Sequence, residues 1–166
     1  MVSLAELDRI KNTTLDKMGL KNRNSGIRVT VGMATCGIAA GARPIMDAFV
    51  EEIKKRNLDN VSVTMTGCIG VCRLEPIVEV VEPDGKRTVY VEMTPEKAAK
   101  VVEEHLAGGR VCSDYTMEAA GDKHGHGKDY MQFFNKQMRI ALKNCGIINP
   151  ESIDEYIAMD GYRALG

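Results

Sequence analysis

The sequence predicts an α/β protein with a four-stranded mixed sheet, flanking helices and a short helical C-terminal extension. Residues 27–66 read as a strand, an amphipathic helix and a second strand, an order that places the two strands in parallel. Two further strand-like runs, residues 77–82 and 88–93, flank a PDGK turn and predict an antiparallel hairpin. A capped helix follows the hairpin. These three observations define the fold class.

The first predicted element is a helix over residues 4–18. Ser3 and Glu6 can form a capping box before an apolar residue pattern of helical spacing, and Gly19 ends that pattern. A polar, Asn-rich connector follows. The first strand is predicted over residues 27–31, because apolar and polar side chains alternate there as they do in a half-buried strand.

The crossover helix is predicted near residues 43–56, where Pro44 lies in the first turn and costs no helical hydrogen bond. Its expected buried face consists of residues at i, i+3, i+4 and i+7: Met46, Phe49, Val50 and Ile53. The second strand is the β-branched run over residues 61–66.

The last helix of the domain is predicted to begin at Thr94-Pro95-Glu96 and to end at Gly108-Gly109. Thr94 suits the N-cap position, and Pro95 suits the first helical position. The resulting order, β-α-β followed by β-β-α, gives a thioredoxin-like arrangement. Both parallel strands then end at the same edge of the sheet, so the loops that follow them can meet.

The C-terminal third is predicted to contain a linker and two helices. Residues 113–130 are polar and contain glycines, which is typical of a linker. Residues 131–146 show helical periodicity, with Phe134, Met138 and Ala141 on one face, and Asn149-Pro150-Glu151 is expected to start a second helix with Ile153 and Ile157 inward. Because these helices have no sheet of their own to cover, we expect them to dock on a partner or on a continuation.

The composition indicates a cytoplasmic globular protein. The net charge of -1 gives no reason to expect nucleic acid or an anionic membrane as a partner. The first thirty residues contain no apolar run fit for a signal peptide, and no segment is long and apolar enough to span a bilayer. In a reducing compartment, the five cysteines are expected to be free thiols or metal ligands.

The stretch TMTGCIGVC contains Cys68 and Cys72 with glycines between them. A redox dithiol usually has two intervening residues and lies at a helix N-terminus, and simple burial of two thiols does not explain Gly67 and Gly70. A metal site explains the glycines best, because thiolates converge in tight loops whose N–H groups can bond to sulfur. Cys36, which follows the first strand, supplies a third thiol at the same edge.

The pattern MATCGIAAGAR followed by TGCIGVCRLEPIVEV resembles the thioredoxin-like [2Fe–2S] ferredoxin domain of complex I-like NADH modules, NAD-linked hydrogenases and formate dehydrogenases. The segment FFNKQMRIALKNCGIINPESIDEYIAMDGYRAL resembles the start of the flavoprotein (beta) subunit of electron-bifurcating hydrogenases. The two resemblances cover residues 27–109 and 131–166. They imply a [2Fe–2S] cluster as cofactor, with Cys36, Cys68 and Cys72 as ligands.

The chain departs from the resembled pattern in its fourth ligand. The family's cluster takes four cysteines, and Gly32 stands roughly where the missing one is expected. The fourth ligand could be Cys112, a non-cysteine group or nothing. Glu75-Pro76 is interpreted as a turn into the next strand, because the residue before proline favours extended backbone.

The predicted organisation is an N-terminal helix and connector (1–25), a [2Fe–2S] ferredoxin domain (26–112), a linker (113–130) and a helical docking segment (131–166). The implied function is single-electron transfer to or from an FMN- and NAD(P)H-binding flavoprotein and other iron–sulfur subunits of a redox complex. No glycine-rich flavin or dinucleotide loop is present, so no independent catalysis is expected. The alternatives are a cluster-less assembly module and a zinc or thiol-redox protein.

Overall fold

The computed structural model describes residues 3–18, 26–123 and 136–165. Helix α1 (Leu4–Lys17) begins where the Ser3 side chain accepts a hydrogen bond from the N–H of Glu6 at 3.3 Å. This contact satisfies one of the backbone donors that the first turn of a helix leaves unpaired. None of the described helices has both the length and the apolar character needed to cross a bilayer.

Four strands form one mixed sheet in the order β2-β1-β3-β4. They are β1 (Ile27–Gly32), β2 (Val61–Thr66), β3 (Val78–Val81) and β4 (Arg87–Tyr90). Strand β1 pairs in parallel with β2 and antiparallel with β3, and β3 pairs antiparallel with β4. Gly85 closes the β3–β4 hairpin with a φ of 88°, a backbone conformation that glycine adopts without a Cβ clash. The predicted four-stranded mixed sheet is confirmed.

Three helices follow the strands of the βαβ and hairpin units. They are α2 (Thr35–Ala39), α3 (Ala42–Lys55) and α4 (Pro95–Val101), and α4 continues as a wider helical turn over Val102–Ala107. The side chain of Thr94 caps α4 by accepting a hydrogen bond from the N–H of Lys97 at 3.3 Å, as its sequence predicted. Cys36 lies in α2, directly after β1.

The main hydrophobic core lies between one face of the sheet and helices α3 and α4. Phe49 and Ile45 of α3 are almost completely buried, and so are the inward side chains of β1, β3 and β4. The sheet contributes Val29, Val31, Val78, Val80 and Tyr90, and α4 with its extension contributes Ala98, Val101 and Val102. Because α3 and α4 take this face, only the opposite face of β1 and β3 is available to the rest of the chain.

The first part of the predicted linker is packed against the domain. Thr116 forms an isolated bridge with Tyr90, and the N–H of Val91 donates to the carbonyl of Tyr115 at 3.0 Å. Helix α5 (Met117–Lys123) then buries Met117 in a second apolar cluster, which also contains Val71, Leu74, Ile77, Val91 and Ala120. The composition of residues 113–130 did not reveal this packing, because only two apolar side chains of this segment, those of Met117 and Ala120, take part in it. Residues 124–130 lie outside the described part.

The C-terminal residues 136–165 pack on the chain's own domain. From the sequence we expected them to dock on a partner or on a continuation. The hydroxyl of Thr66 donates to the carbonyl of Ile148 at 3.0 Å and accepts from the N–H of Gly146 at 3.1 Å. Arg28 and Glu155 form a mostly buried ion pair with an N–O distance of 3.5 Å. These contacts join the C-terminal segment to strands β1 and β2.

In the described part of the chain, the helix predicted over residues 131–146 does not continue past Lys136. Residues 131–135 lie outside the described part, and residues 141–147 form turns, with Met138 86% exposed. The second predicted helix is present as α6 (Ile153–Ala158). Ile157 is buried as expected, but Ile153 is 60% exposed, because α1 covers only one side of this short helix.

His105 is a buried part of the core. Its side chain is 2% exposed, and its Nδ1 lies 2.8 Å from the hydroxyl of Tyr90. Desolvation lowers the pKa of His105 below its ordinary value of 6.5, and the nearby carboxylate of Glu82 opposes this shift only in part. The imidazole is therefore neutral near pH 7.

We predict that the protein loses stability as the pH falls below about 6.5. A neutral buried imidazole binds fewer protons in the folded state than in the unfolded state, so unfolding takes up a proton in this range. Urea unfolding between pH 7.5 and pH 5.5 measures the slope of the unfolding free energy. The variant His105→Gln should flatten this slope, and equal slopes in the two proteins would contradict the assignment to His105.

Candidate metal centre

Three thiols converge at the edge of the sheet where β1 and β2 end. Cys36 lies in the first turn of α2 just after β1, Cys68 lies in the loop after β2, and Cys72 begins a short 3₁₀ helix. The three Sγ atoms all lie within 4.8 Å of one another. The Sγ atoms of Cys68 and Cys72 are 3.4 Å apart. The structure thus brings together the three cysteines that the sequence selected.

The cysteine loop closes around its first thiol through Gly70. The φ of Gly70 is 95°, in the left-handed region where residues with a Cβ are strained. In this conformation the N–H of Gly70 donates to Sγ of Cys68 at 3.2 Å. An N–H···S bond stabilises negative charge on sulfur, so the loop is built to hold a thiolate. This contact gives the reason for glycine at position 70.

The thiols at the site differ in acidity. Desolvation, together with hydrogen bonds to Cys68 and Cys72, raises the pKa of Cys36 to about 12. Desolvation also acts to raise the pKa of Cys68, but the N–H of Gly70 and the two neighbouring thiols outweigh it, so the pKa lies below its ordinary value. Cys68 is therefore the first of these two thiols to ionise.

A carboxylate lies next to the three thiols. Glu75 is 9% exposed, and its Oε2 accepts a hydrogen bond from the N–H of Ile77 at 2.8 Å. The thiol of Cys36 lies 3.8 Å from Oε1 of Glu75. Burial raises the pKa of Glu75, while the Ile77 N–H and the Cys36 thiol act against this shift. From the sequence, Glu75 was predicted only to lie in a turn, because a single glutamate before a proline does not indicate a metal ligand.

The two remaining cysteines do not join the group of three. Cys112, the candidate fourth ligand, is 8% exposed and packs in the main core, with its thiol 3.8 Å from the carbonyl of Lys100. Its backbone N–H donates to the hydroxyl of Tyr90. Cys145 lies in the turns of the C-terminal segment, beside a cavity of about 570 Å³ under the sheet. All five cysteines are free thiols.

The donor set suits a metal that prefers soft ligands. Thiolates select zinc, Cu(I) or iron–sulfur clusters, whereas Mg²⁺ and Ca²⁺ prefer oxygen. A structural zinc site normally has four cysteine or histidine ligands, and only three such side chains meet here within the described residues. The N–H···S bond fits an iron–sulfur cluster, whose sulfur atoms accept such hydrogen bonds.

Solved structures of similar fold are iron–sulfur proteins. A thioredoxin-like [2Fe–2S] ferredoxin from Aquifex aeolicus, with a crystal structure at 1.5 Å resolution, matches with a TM-score of 0.50 and 27% identity. The match covers 55% of this chain and 96% of that ferredoxin. A second structure of a thioredoxin-like [2Fe–2S] ferredoxin from Aquifex aeolicus has the same TM-score and covers 56% of this chain and 91% of its own.

Sequence relatives extend the similarity to hydrogenase subunits. The NADP-reducing hydrogenase subunit HndB of Solidesulfovibrio fructosivorans is 30% identical over 107 residues, which are 64% of this chain and 83% of HndB. A 2Fe-2S ferredoxin of Aquifex aeolicus is 38% identical over 71 residues, 42% of this chain and 61% of that protein. Subunit HndC of the same hydrogenase is 67% identical over 30 residues, 18% of this chain and 6% of HndC. No family model matches the chain.

The fold and the three converging thiols define an iron–sulfur protein of the electron-transfer class. The chain belongs to the same family as HndB and contains a thioredoxin-like [2Fe–2S] ferredoxin domain, as the Aquifex proteins do. The thioredoxin-like fold predicted from the sequence is thereby confirmed. A [2Fe–2S] cluster as the cofactor agrees both with these relatives and with the cysteine group.

Proposed function

We propose that this chain is an electron-transfer subunit or domain of a multisubunit redox complex. Cys36, Cys68 and Cys72 are its cluster ligands, and its partner is an FMN-containing protein that oxidises or reduces NAD(P)H. The observation that carries the proposal is the convergence of these three thiols within 4.8 Å at one edge of the sheet. The names of HndB and HndC, both subunits of one NADP-reducing hydrogenase, support a multisubunit redox assembly.

The cluster, when bound, supplies a centre that accepts and releases one electron at a time. The protein holds the thiolates, donates N–H hydrogen bonds to sulfur and keeps one side of the site near the surface. Cys72 is exposed, whereas Cys36 and Cys68 are partly buried. Because electron transfer requires a short distance between centres, the side of Cys72 is where a partner's cofactor would approach.

Residues 131–166 are proposed to contribute to docking, as the resemblance to a flavoprotein subunit implies. In the described part of this segment, Met138, Ile140 and Leu142 are respectively 86%, 79% and 61% exposed. Three large apolar side chains exposed within five residues favour contact with another protein surface. The chain itself is proposed to perform no catalysis, and its location is proposed to be the cytoplasm, where cysteines remain outside disulfides.

Anaerobic purification of the full chain, reconstitution with iron and sulfide, and metal analysis test the proposal. We expect two irons and two sulfides per chain, a coloured oxidised state and an EPR signal after reduction. A colourless protein that takes up no iron would overturn the proposed function. One zinc per chain, with no iron, would identify the site as a zinc site.

A further inference from the structure

We propose that the carboxylate of Glu75 is the fourth ligand of the cluster and takes the position of the missing cysteine. This inference rests on the proposed function, because it assumes that the three thiols hold a cluster. It assigns a mixed donor set of three thiolates and one carboxylate. The side chain of Glu75 lies beside Gly32, Cys36 and the cysteine loop.

The carboxylate of Glu75 fills the space where a side chain at position 32 would begin. A Cβ built on Gly32 would lie 3.2 Å from Oε2 and 3.3 Å from Oε1 of Glu75. A side chain at position 32 would therefore require the Glu75 carboxylate to shift by a few tenths of an ångström. Glycine at the end of β1 therefore replaces the expected cysteine and also makes room for a different donor at the same place.

Gly37 completes the cradle on the other side. A Cβ at Gly37 would lie 3.3 Å from Oε2 of Glu75, and it would also collide with the carbonyl of Gly32. Two glycines, one at the end of β1 and one in α2, thus border the same carboxylate. Burial of a carboxylate costs free energy unless hydrogen bonds or a metal compensate for the lost hydration. We therefore expect the buried carboxylate of Glu75 to bind a partner.

The two oxygens of Glu75 have different roles. Oε2 is held by the N–H of Ile77 at 2.8 Å, which fixes the orientation of the side chain. Oε1 points to the thiol group, and within the described residues the Cys36 thiol at 3.8 Å is its hydrogen-bond partner. A thiol at this distance is a weak donor, so Oε1 keeps its capacity to bind a metal ion.

The donor atoms form two close pairs. Thiolate bonds of ~2.3 Å and carboxylate bonds of ~2.0 Å place two ligands of one tetrahedral ion about 3.5 to 3.8 Å apart. The Cys68–Cys72 sulfur pair, at 3.4 Å, and the Cys36–Glu75 pair, at 3.8 Å, are close to this range. Cys36 and Glu75 are therefore close enough to bind the same metal ion, as are Cys68 and Cys72. Non-cysteine ligands on one iron are known chemistry for such clusters.

The variant Glu75→Gln tests the assignment, with Glu79→Gln as the matched control. Glu79 borders the same cavity under the sheet, is mostly buried and forms an ion pair with Arg87 instead of contacting a thiol. The full-length chains are reconstituted anaerobically, and iron content, Mössbauer spectra and the EPR of the reduced state are recorded. Thermal unfolding of the metal-free chains monitors folding.

We expect Glu75→Gln to lose iron to a chelator about tenfold faster or more than the wild type, because even outer-shell changes weaken metal binding by 10- to 100-fold. The wild-type Mössbauer spectrum should show two inequivalent ferric sites. The double variant Gly32→Cys/Glu75→Ala should bind two irons with nearly equivalent sites, since it restores four thiolates. Glu79→Gln should match the wild type.

Unchanged iron retention and unchanged spectra in Glu75→Gln would overturn the Glu75 assignment while leaving the cluster in place. Equivalent ferric sites in the wild type would overturn it as well. A wild-type chain that binds no iron at all would instead contradict the proposed function. If Glu75→Gln does not fold, the double variant and the wild-type spectrum still decide the question.

Discussion

Replacing Cys68 by alanine is expected to abolish cluster binding, with iron content reduced about tenfold or more relative to the wild type. Cys68 lies at the centre of the site: its sulfur is 3.4 Å from that of Cys72 and accepts the N–H of Gly70. Its thiolate is also stabilised relative to that of Cys36, as the opposite directions of their pKa shifts indicate. Iron analysis and the visible spectrum of the reconstituted protein measure the loss.

Cys112→Ala is the control for this experiment. Its thiol contacts the carbonyl of Lys100 in the core, so the variant should keep the wild-type iron content and spectrum. A changed spectrum in Cys112→Ala would place Cys112 in the ligand set and would contradict the assignment of Glu75. A wild-type spectrum in Cys68→Ala would remove Cys68 from the ligands.

Replacing Phe49 by alanine is expected to lower the free energy of unfolding by about 3–5 kcal/mol. The Phe49 side chain is fully buried between α3 and the sheet, where the surrounding strands are held by hydrogen bonds and cannot close the cavity. The total stability of a domain this size is about 5–15 kcal/mol, so the variant approaches global unfolding. Urea unfolding of the metal-free chain, followed by circular dichroism, measures the change.

Two companion variants make the Phe49 result interpretable. Phe49→Leu removes three carbons and should cost about 2 kcal/mol, at roughly 0.8 kcal/mol per buried carbon. Glu51→Ala changes an exposed residue of the same helix and should alter stability by less than about 0.5 kcal/mol. A loss below about 1 kcal/mol for Phe49→Ala would show that the core around α3 is not packed as described.

Local patterns predicted the sheet and the order of its elements well. The alternation in β1, the PDGK turn and the Thr94-Pro95 start of α4 depend on residues near one another in the chain. The meeting of Cys36 with Cys68 was also predictable, because parallel strands joined by a helix end at one edge. These inferences need only periodicity, caps and the handedness of the crossover.

The C-terminal third was predicted poorly because its conformation depends on distant partners. Turns over 141–147 replace the end of the helix expected over 131–146, and Gly146 in these turns donates to Thr66, 80 residues earlier. The expected linker instead adds Met117 to an apolar cluster. A helical pattern gives a helix only when its apolar face packs against a surface, and the apolar side chains of this pattern from Met138 to Leu142 remain exposed.

The sequence alone predicted the order of the strands and helices along the chain, and it predicted that Cys36 meets Cys68 and Cys72 at one edge of the sheet, since both follow from periodicity and chain connectivity. Tertiary structure decided which other groups lie beside those thiols. It places Cys112 in the core and brings the carboxylate of Glu75 into the space left by Gly32. The reason is that a side chain's neighbours depend on the packing of distant segments, which one-dimensional spacing does not encode.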